Sequence, residues 1–162
     1  MGLAIAFWIL AAVMVLAALG VVLLGNVFRA ALALILCFLA VAGIYLTLSA
    51  DFLAAVQVLV YVGAISVLII LAVMMTREVQ RGSPSNRMRA PAFLVALVFL
   101  AVMAYTVMKT PWHVSAAAPL FPTTAPLALK LFGEGGFVLP VEIGAVLLLA
   151  AVLGAIVLAG EK

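Results

Sequence analysis

The sequence predicts an all-α integral membrane protein with five transmembrane helices. Its 162 residues are 70% hydrophobic and only 8% charged, whereas roughly half of an ordinary soluble chain is apolar. The apolar runs are continuous and about 20 residues long, which is the length that crosses a hydrocarbon core as a helix. A transmembrane barrel would instead alternate in polarity over segments of about ten residues. We therefore expect a single membrane domain over residues 1–162.

The five spans follow one another along the chain. They are predicted at about residues 3–24, 27–48, 52–76, 91–108 and 138–159. The N-terminal run lacks the positive region of a signal peptide, so it is interpreted as a retained helix. A long outer loop is predicted at residues 109–137, and its stretch LALKLF is expected to lie flat in the membrane interface. Ser49 or Asp51 is placed to cap the third helix.

Basic residues divide unequally between the two sides of a five-span chain. One side holds Arg29, Arg77, Arg81, Arg87, Arg89 and Lys162, and the other holds Lys109 and Lys130. Because positive charge is retained on the cytoplasmic side, the N-terminus is predicted outside and the C-terminus in the cytoplasm. The net charge of +3 arises from these loops. The sequence has no basic cluster interleaved with aromatic residues, so nothing in it indicates a nucleic-acid partner.

No Lys, Arg, His, Asp or Glu lies at the centre of any predicted span. Such residues mark ion and proton pathways, so the chain cannot hold a transported charge at mid-membrane by itself. Cys37 is the only cysteine, which excludes an internal disulfide and gives no indication of a metal cluster. His113 stands alone in the outer loop and is interpreted as solvated or interfacial. We expect no catalytic residue and no redox centre in this chain.

Glu142 is the charge closest to a span. It follows Pro140 and is predicted in the first turn of the last helix, where an anion is stabilised by the helix N-terminus. A helix-start carboxylate at the outer interface is the favoured interpretation, and a proton-handling role is the alternative.

The third span carries polar and flexible residues near its middle. Gln57 and Tyr61 are four residues apart and share one helix face. The Tyr61 hydroxyl can anchor a chain of waters, and Gly63 lowers the cost of a bend or π-bulge beside it. From spacing alone, packing of Gln57, Ser66 and Gly63 against neighbouring helices is favoured over a functional break in the helix.

Small residues in the last span indicate close packing against other helices. Ala150 and Gly154 are four residues apart, as are Ala151, Ala155 and Ala159. Five helices with so little polar content bury little of their own surface, so the chain is expected to work inside a larger membrane complex. A self-assembling homo-oligomer would satisfy the same observation.

Three stretches of the chain carry a family resemblance. The run DFLAAVQVLVYVGAISVLIILAVMM, with VYVGAISVL as its most specific part, resembles the third helix of the J-type subunits of bacterial respiratory complex I. That family includes mitochondrial NADH dehydrogenase subunit 6. NVFRAALALILCFLAVAGIYLTL and LFGEGGFVLPVEIGAVLLLAAVLGAIVLA resemble its second and last helices. The fourth span and the outer loop carry little family signal.

The resemblance implies a role that spacing could not supply. The chain would lie in the membrane arm of a bacterial inner-membrane complex, beside K-, A- and H-type and antiporter-like subunits. The complex would use NADH, FMN, iron–sulfur clusters and quinone, none of them bound by this chain. In this family the third helix switches between a π-bulge and a regular α-helix, which is associated with opening a water path. By that resemblance Tyr61 is the bulge aromatic, and Val62 and Gly63 lie in the distorted turn. We place Gln57 with them among the gating residues, because it shares a helix face with Tyr61.

The predicted function is therefore the coupling of quinone reduction to proton pumping through a gated water path. In the regular helix Val62 or Ile65 would seal this path, and a one-residue register shift would turn them away. Two alternatives stay open. One is a small homo-oligomeric ion transporter, which the missing mid-membrane charges disfavour. The other is a purely structural or assembly subunit of a related antiporter-type complex.

Overall fold

The computed structural model describes residues 1–76, 89–112 and 122–160, and in these ranges the ordered elements are all helices. The α-helices are α1 Gly2–Leu23, α2 Val27–Thr47, α3 Asp51–Val56, α4 Ser66–Met75, α5 Arg89–Lys109, α6 Thr124–Phe132 and α7 Val138–Gly160. A π-helical segment, Gln57–Ile65, joins α3 to α4 without interruption. We call Gln57–Ile65 the π segment, and α3, the π segment and α4 together the third span.

Five of these helices are long and apolar enough to cross a membrane. They are Gly2–Leu23, Val27–Thr47, Asp51–Met75, Pro91–Lys109 and Val138–Gly160. Each begins and ends within about two residues of its predicted span, the usual uncertainty of helix ends. The predicted all-α fold with five candidate membrane-spanning helices is confirmed in the described residues. His113 and three of the loop arginines lie outside the described residues.

An asparagine side chain begins α2. Asn26 Oδ1 accepts hydrogen bonds from the backbone N–H groups of Phe28 at 3.0 Å and Arg29 at 3.2 Å. This is the N-cap arrangement that satisfies the free donors of a helix start. The cap allows α1 and α2 to be joined by a very short connection, so the two helices pack antiparallel.

The turn between α2 and α3 differs from the prediction. Ser49 has a positive φ of 60°, and the N–H groups of Ser49 and Ala50 donate to the carbonyls of Leu46 and Tyr45 at 3.1 and 2.9 Å. This pattern is a Schellman motif that closes the C-terminus of α2. The prediction that Ser49 or Asp51 caps the third helix is wrong, because Ala50 occupies the N-cap and makes no side-chain capping bond.

The packed core is small and is built from alanines. α2 lies between α1 and the third span and contacts both. The buried apolar residues are Ala17, Ala31, Ala40, Ala42 and Ala54. Small side chains at these positions allow the helix backbones to approach closely, as is typical of membrane proteins. Gly43 shows how close, because a Cβ there would lie 2.9 Å from the Leu10 side chain of α1.

The helices α5 and α7 leave most of their surface uncovered. Their apolar side chains are largely exposed, and neither packs on another described helix to the extent that α1 packs on α2. The small-residue positions of α7, including Ala151 and Ala155, lie on this exposed surface. The first three spans therefore form one packed group. The other two spans, α5 and α7, keep exposed apolar faces.

Candidate functional site

The π segment contains all four residues predicted to form the gate. It replaces the α-helical bonding pattern with bonds to the carbonyl five residues back, as the Ser66 N–H shows by donating to the Tyr61 carbonyl. The irregularity predicted for the third span is thus present. π-Helical turns are rare and occur frequently at functional sites. The segment holds no carboxylate, amine, guanidinium or imidazole.

Gln57 begins the π segment and points into the chain. Its side chain is only 8% exposed, and its Nε2 donates to the backbone carbonyl of Phe38 in α2 at 3.5 Å. At this length the bond is weak. It nevertheless gives a partner to a polar group that would otherwise be costly to bury. Gln57 therefore ties the start of the π segment to α2.

Tyr61 contacts the same residue of α2. Its ring lies edge-on to the Phe38 ring, with centroids 5.4 Å apart and planes inclined by 67°. Such edge-to-face pairs are favoured by the ring quadrupoles. Tyr61 is nevertheless 42% exposed, and its hydroxyl makes no hydrogen bond to any described residue. The prediction that Gln57 and Tyr61 share a face agrees with their common contact to Phe38.

Val62 and Gly63 occupy the turn that follows. Val62 is half-buried and Gly63 is exposed. A Cβ at Gly63 would meet the Val58 carbonyl oxygen at 3.4 Å and would otherwise have open space around it. Within this chain, therefore, Gly63 does not serve close helix packing. Its surface is open to a helix of another subunit or to lipid.

Ser66 is a functional candidate that the sequence interpretation treated only as helix–helix glue. It is the most deeply buried polar residue, at 2% exposure. Its hydroxyl donates to the Tyr61 carbonyl at 2.6 Å. The carbonyl of Tyr61 thus accepts from both the N–H and the hydroxyl of Ser66. No spacing rule for α-helices indicates this bond, because it joins residues five apart.

A contact from the distant loop between α5 and α7 anchors the start of the third span. The Asp51 carboxylate accepts from the Thr123 backbone N–H at 2.8 Å and also from the Thr123 hydroxyl. The Thr123 Oγ1 in turn accepts from the Phe52 N–H at 3.4 Å. We call this Asp51–Thr123 pair the clasp. It places the start of α6 at the same end of the molecule as the α2–α3 turn, as successive membrane crossings require.

Glu142 lies elsewhere and deeper in its helix than predicted. Because α7 begins at Val138, Glu142 is its fifth residue, and the first turn contains no acidic residue. The prediction of a first-turn carboxylate is wrong for this reason. Glu142 is exposed, and α7 makes its main contact with α6 rather than with the π segment. The structure does not bring Glu142 together with the four gate residues.

Comparison with known proteins assigns the chain to a family. The NADH-ubiquinone/plastoquinone oxidoreductase chain 6 family matches residues 17–158. NAD(P)H-quinone oxidoreductase chain 6 of Leptolyngbya boryana is 43% identical over 161 residues, covering 98% of this chain and 80% of the relative. F(420)H(2) dehydrogenase subunit J of Methanosarcina mazei is 42% identical over 157 residues, covering 94% and 88%. This chain belongs to the NADH-ubiquinone/plastoquinone oxidoreductase chain 6 family, as the resemblance of its second, third and last spans predicted.

Proposed function

We propose that this chain is a membrane-arm subunit of a proton-translocating quinone oxidoreductase, and that its third span gates a proton path. The family supports the first part. Relatives of similar identity are named for different electron donors, NAD(P)H in one case and F(420)H(2) in the other. A subunit shared by both kinds of enzyme serves what they have in common, so its function lies in the membrane and not in donor oxidation.

The single observation that carries the gate is the π segment in the middle of a span whose one charged residue, Asp51, lies at its first position. Conversion of this segment to a regular α-helix shifts the register by one residue, which is a rise of about 1.5 Å and a rotation of about 100°. Val62 and Ile65 are the apolar side chains that such a rotation moves. In one register they seal the path, and in the other they turn away and admit water.

The Tyr61 hydroxyl supplies a polar group to that path. Its exposure of 42% leaves it accessible to a water or to a side chain of a neighbouring subunit. A phenol hydroxyl both donates and accepts hydrogen bonds, so it can orient a water of the path. The ionisable groups of the relay belong to neighbouring subunits in this proposal, because the π segment has none of its own.

The assembly proposed here follows the family resemblance. The chain would contact K-, A- and H-type and antiporter-like subunits, and the complex would carry NADH, FMN, iron–sulfur clusters and quinone outside this chain. The uncovered surfaces of α5 and α7 support contacts of this kind. We propose the bacterial inner membrane as the location, with the N-terminus outside and the C-terminus in the cytoplasm, on the positive-inside distribution of the arginines.

Enlarging Gly63 tests the gate. Gly63→Leu adds a bulky side chain to the π segment, at a position where a Cβ meets the Val58 carbonyl oxygen at 3.4 Å and no other described atom within 4 Å. We expect the complex to assemble and proton pumping per quinone reduced to fall at least fivefold, because the segment can no longer change register freely. Pumping is measured in vesicles containing the purified complex, with the donor that this complex oxidises. Assembly is checked on native gels.

Gly160→Leu is the matched control. It adds the same side chain at a helical glycine with no neighbour within 4 Å and outside the third span, so pumping is expected to stay at the wild-type level. Undiminished pumping in a fully assembled Gly63→Leu complex would contradict the gate. It would favour the structural-subunit alternative, which the large uncovered faces of α5 and α7 also fit.

A further inference from the structure

The Ser66 hydroxyl makes a hydrogen bond that a regular α-helix does not provide. It donates to the carbonyl of Tyr61, five residues back, at 2.6 Å. Serine and threonine in α-helices return instead to carbonyls three or four residues back. Four other hydroxyls of this chain do so: Thr47 to Ile44, Thr76 to Ala72, Thr106 to Met103 and Thr110 to Thr106. The bond of Ser66 therefore depends on the π-helical winding.

The burial of Ser66 depends on the same winding. It is 2% exposed, whereas Val67 beside it is 54% exposed. α4 packs against α2. Ser66, the smallest side chain in the first turn of α4, is buried. A register shift of one residue would rotate Ser66 out by about 100°. A larger neighbour, Ile65 or Val67, would then occupy a position that now holds a serine.

The start of the third span is fixed, so the shift must appear in α4. The clasp holds Asp51, Ala54 is buried, and Gln57 is buried against α2. Loss of the extra residue of the π segment would therefore move the part of the span that follows it. Ser66, the first residue of α4, lies at the junction between the fixed half and the half that moves.

We propose that Ser66 is a positioning residue that holds the third span in its π-helical register, through its hydroxyl bond to the Tyr61 carbonyl and its small size at the contact with α2. In the regular helix its hydroxyl would return to a carbonyl three or four residues back, so the bond alone does not choose the register. Burial of the serine supplies the rest of the preference. The proposal rests on the proposed gate for its functional meaning, but the conformational role stands by itself.

Three substitutions in the assembled complex test this role. Ser66→Cys keeps the shape of the side chain and weakens the donor, Ser66→Ala removes the donor, and Ser66→Val also overfills the contact with α2. Electron microscopy of particles frozen at rest and during quinone turnover gives the ratio of π-helical to regular third spans. We expect this ratio to fall in that order, by about threefold for Ser66→Ala and by about tenfold or more for Ser66→Val.

Thr76→Ala is the matched control, because it removes a hydroxyl bond of ordinary helical spacing in the same span. Its ratio is expected to equal that of the wild type. A wild-type ratio in both Ser66→Ala and Ser66→Val would overturn the positioning role. If the ratio falls while protons pumped per quinone stay unchanged, the positioning role stands and the proposed gate fails.

Discussion

At the residue scale, Phe38 of α2 contacts two side chains of the π segment. Its carbonyl accepts from Gln57 and its ring contacts Tyr61. A signal for this pairing exists in the sequence, since Phe38 lies 11 residues before Ser49 and Tyr61 lies 11 residues after Ala50. Residues equally distant from a tight turn face one another in antiparallel helices. An edge-to-face pair of this kind contributes about 0.5–1.5 kcal/mol beyond its buried area.

Tyr61→Phe separates the two roles of this tyrosine. The ring contact with Phe38 is retained, so the complex should assemble with unchanged stability. The hydroxyl is lost, and we expect proton pumping to fall about threefold to tenfold, because an ordered water of the path loses its partner. The measurement is acidification by vesicles containing the purified complex, relative to quinone reduced.

Tyr61→Leu provides the comparison, since it removes the ring contact as well as the hydroxyl. If Tyr61→Phe pumps like the wild type and only Tyr61→Leu is impaired, the tyrosine acts through packing, as a structural subunit requires.

At the scale of single elements, the third span has one anchored end. Asp51 and Thr123 are 72 positions apart in sequence, and one Asp51 carboxylate oxygen accepts hydrogen bonds from both the backbone N–H and the hydroxyl of Thr123. Charge-assisted bonds of this kind are stronger than neutral ones. Thr123 is also the N-cap residue of α6. The clasp thus joins α6, an amphipathic helix in the loop between α5 and α7, to the start of the third span, so the proposed register change would move α4.

Thr123→Val tests the anchor. The change keeps the shape of the side chain and removes the hydroxyl that bonds Asp51 and Phe52. Without the hydroxyl, only the backbone N–H of residue 123 still donates to Asp51, so the start of the third span is held less firmly. We expect amide exchange in peptides covering α3 to become about fivefold to thirtyfold faster in the assembled complex, measured by mass spectrometry.

Thr124→Val is the matched control for the anchor. Thr124 is exposed, and its hydroxyl makes no hydrogen bond to the described part of the chain, so exchange should be unchanged. Equal exchange in the two variants would show that the clasp does not hold the third span.

At the scale of the whole molecule, the fold is incomplete as a self-contained bundle. α1, α2 and the third span pack together, whereas α5 and α7 keep exposed apolar faces along their length. Lipid can cover such faces, but the small residues of α7 are typical of helix–helix contacts. Family membership gives a reason for the exposed faces of α5 and α7, because the relatives are named as chains or subunits of larger oxidoreductases.

Purification from the native membrane tests this directly. We expect the chain to co-purify with dehydrogenase and quinone-binding subunits in one particle, identified by mass spectrometry after mild detergent extraction. Recovery of the chain as a solitary oligomer that conducts ions in vesicles would contradict the assignment and support the transporter alternative.

The amino-acid sequence by itself determined the class of protein, the five spans and the family. Each follows from a local property: the transfer of about 20 apolar residues into lipid is favourable wherever they fold, and the motif around Tyr61 and Gly63 is contiguous. The same locality placed a flexible, polar centre in the third span. The two wrong predictions also concerned local features: the cap of the third helix and the helical turn that contains Glu142.

Only the tertiary structure decided how that centre is held. The clasp and the burial of Ser66 join residues through packing. The Ser66 bond further depends on a winding that spacing rules for regular helices do not include. Hydropathy measures the free energy of one segment in lipid. Helix register is set by the contacts of several helices at once, so only the packed structure shows it.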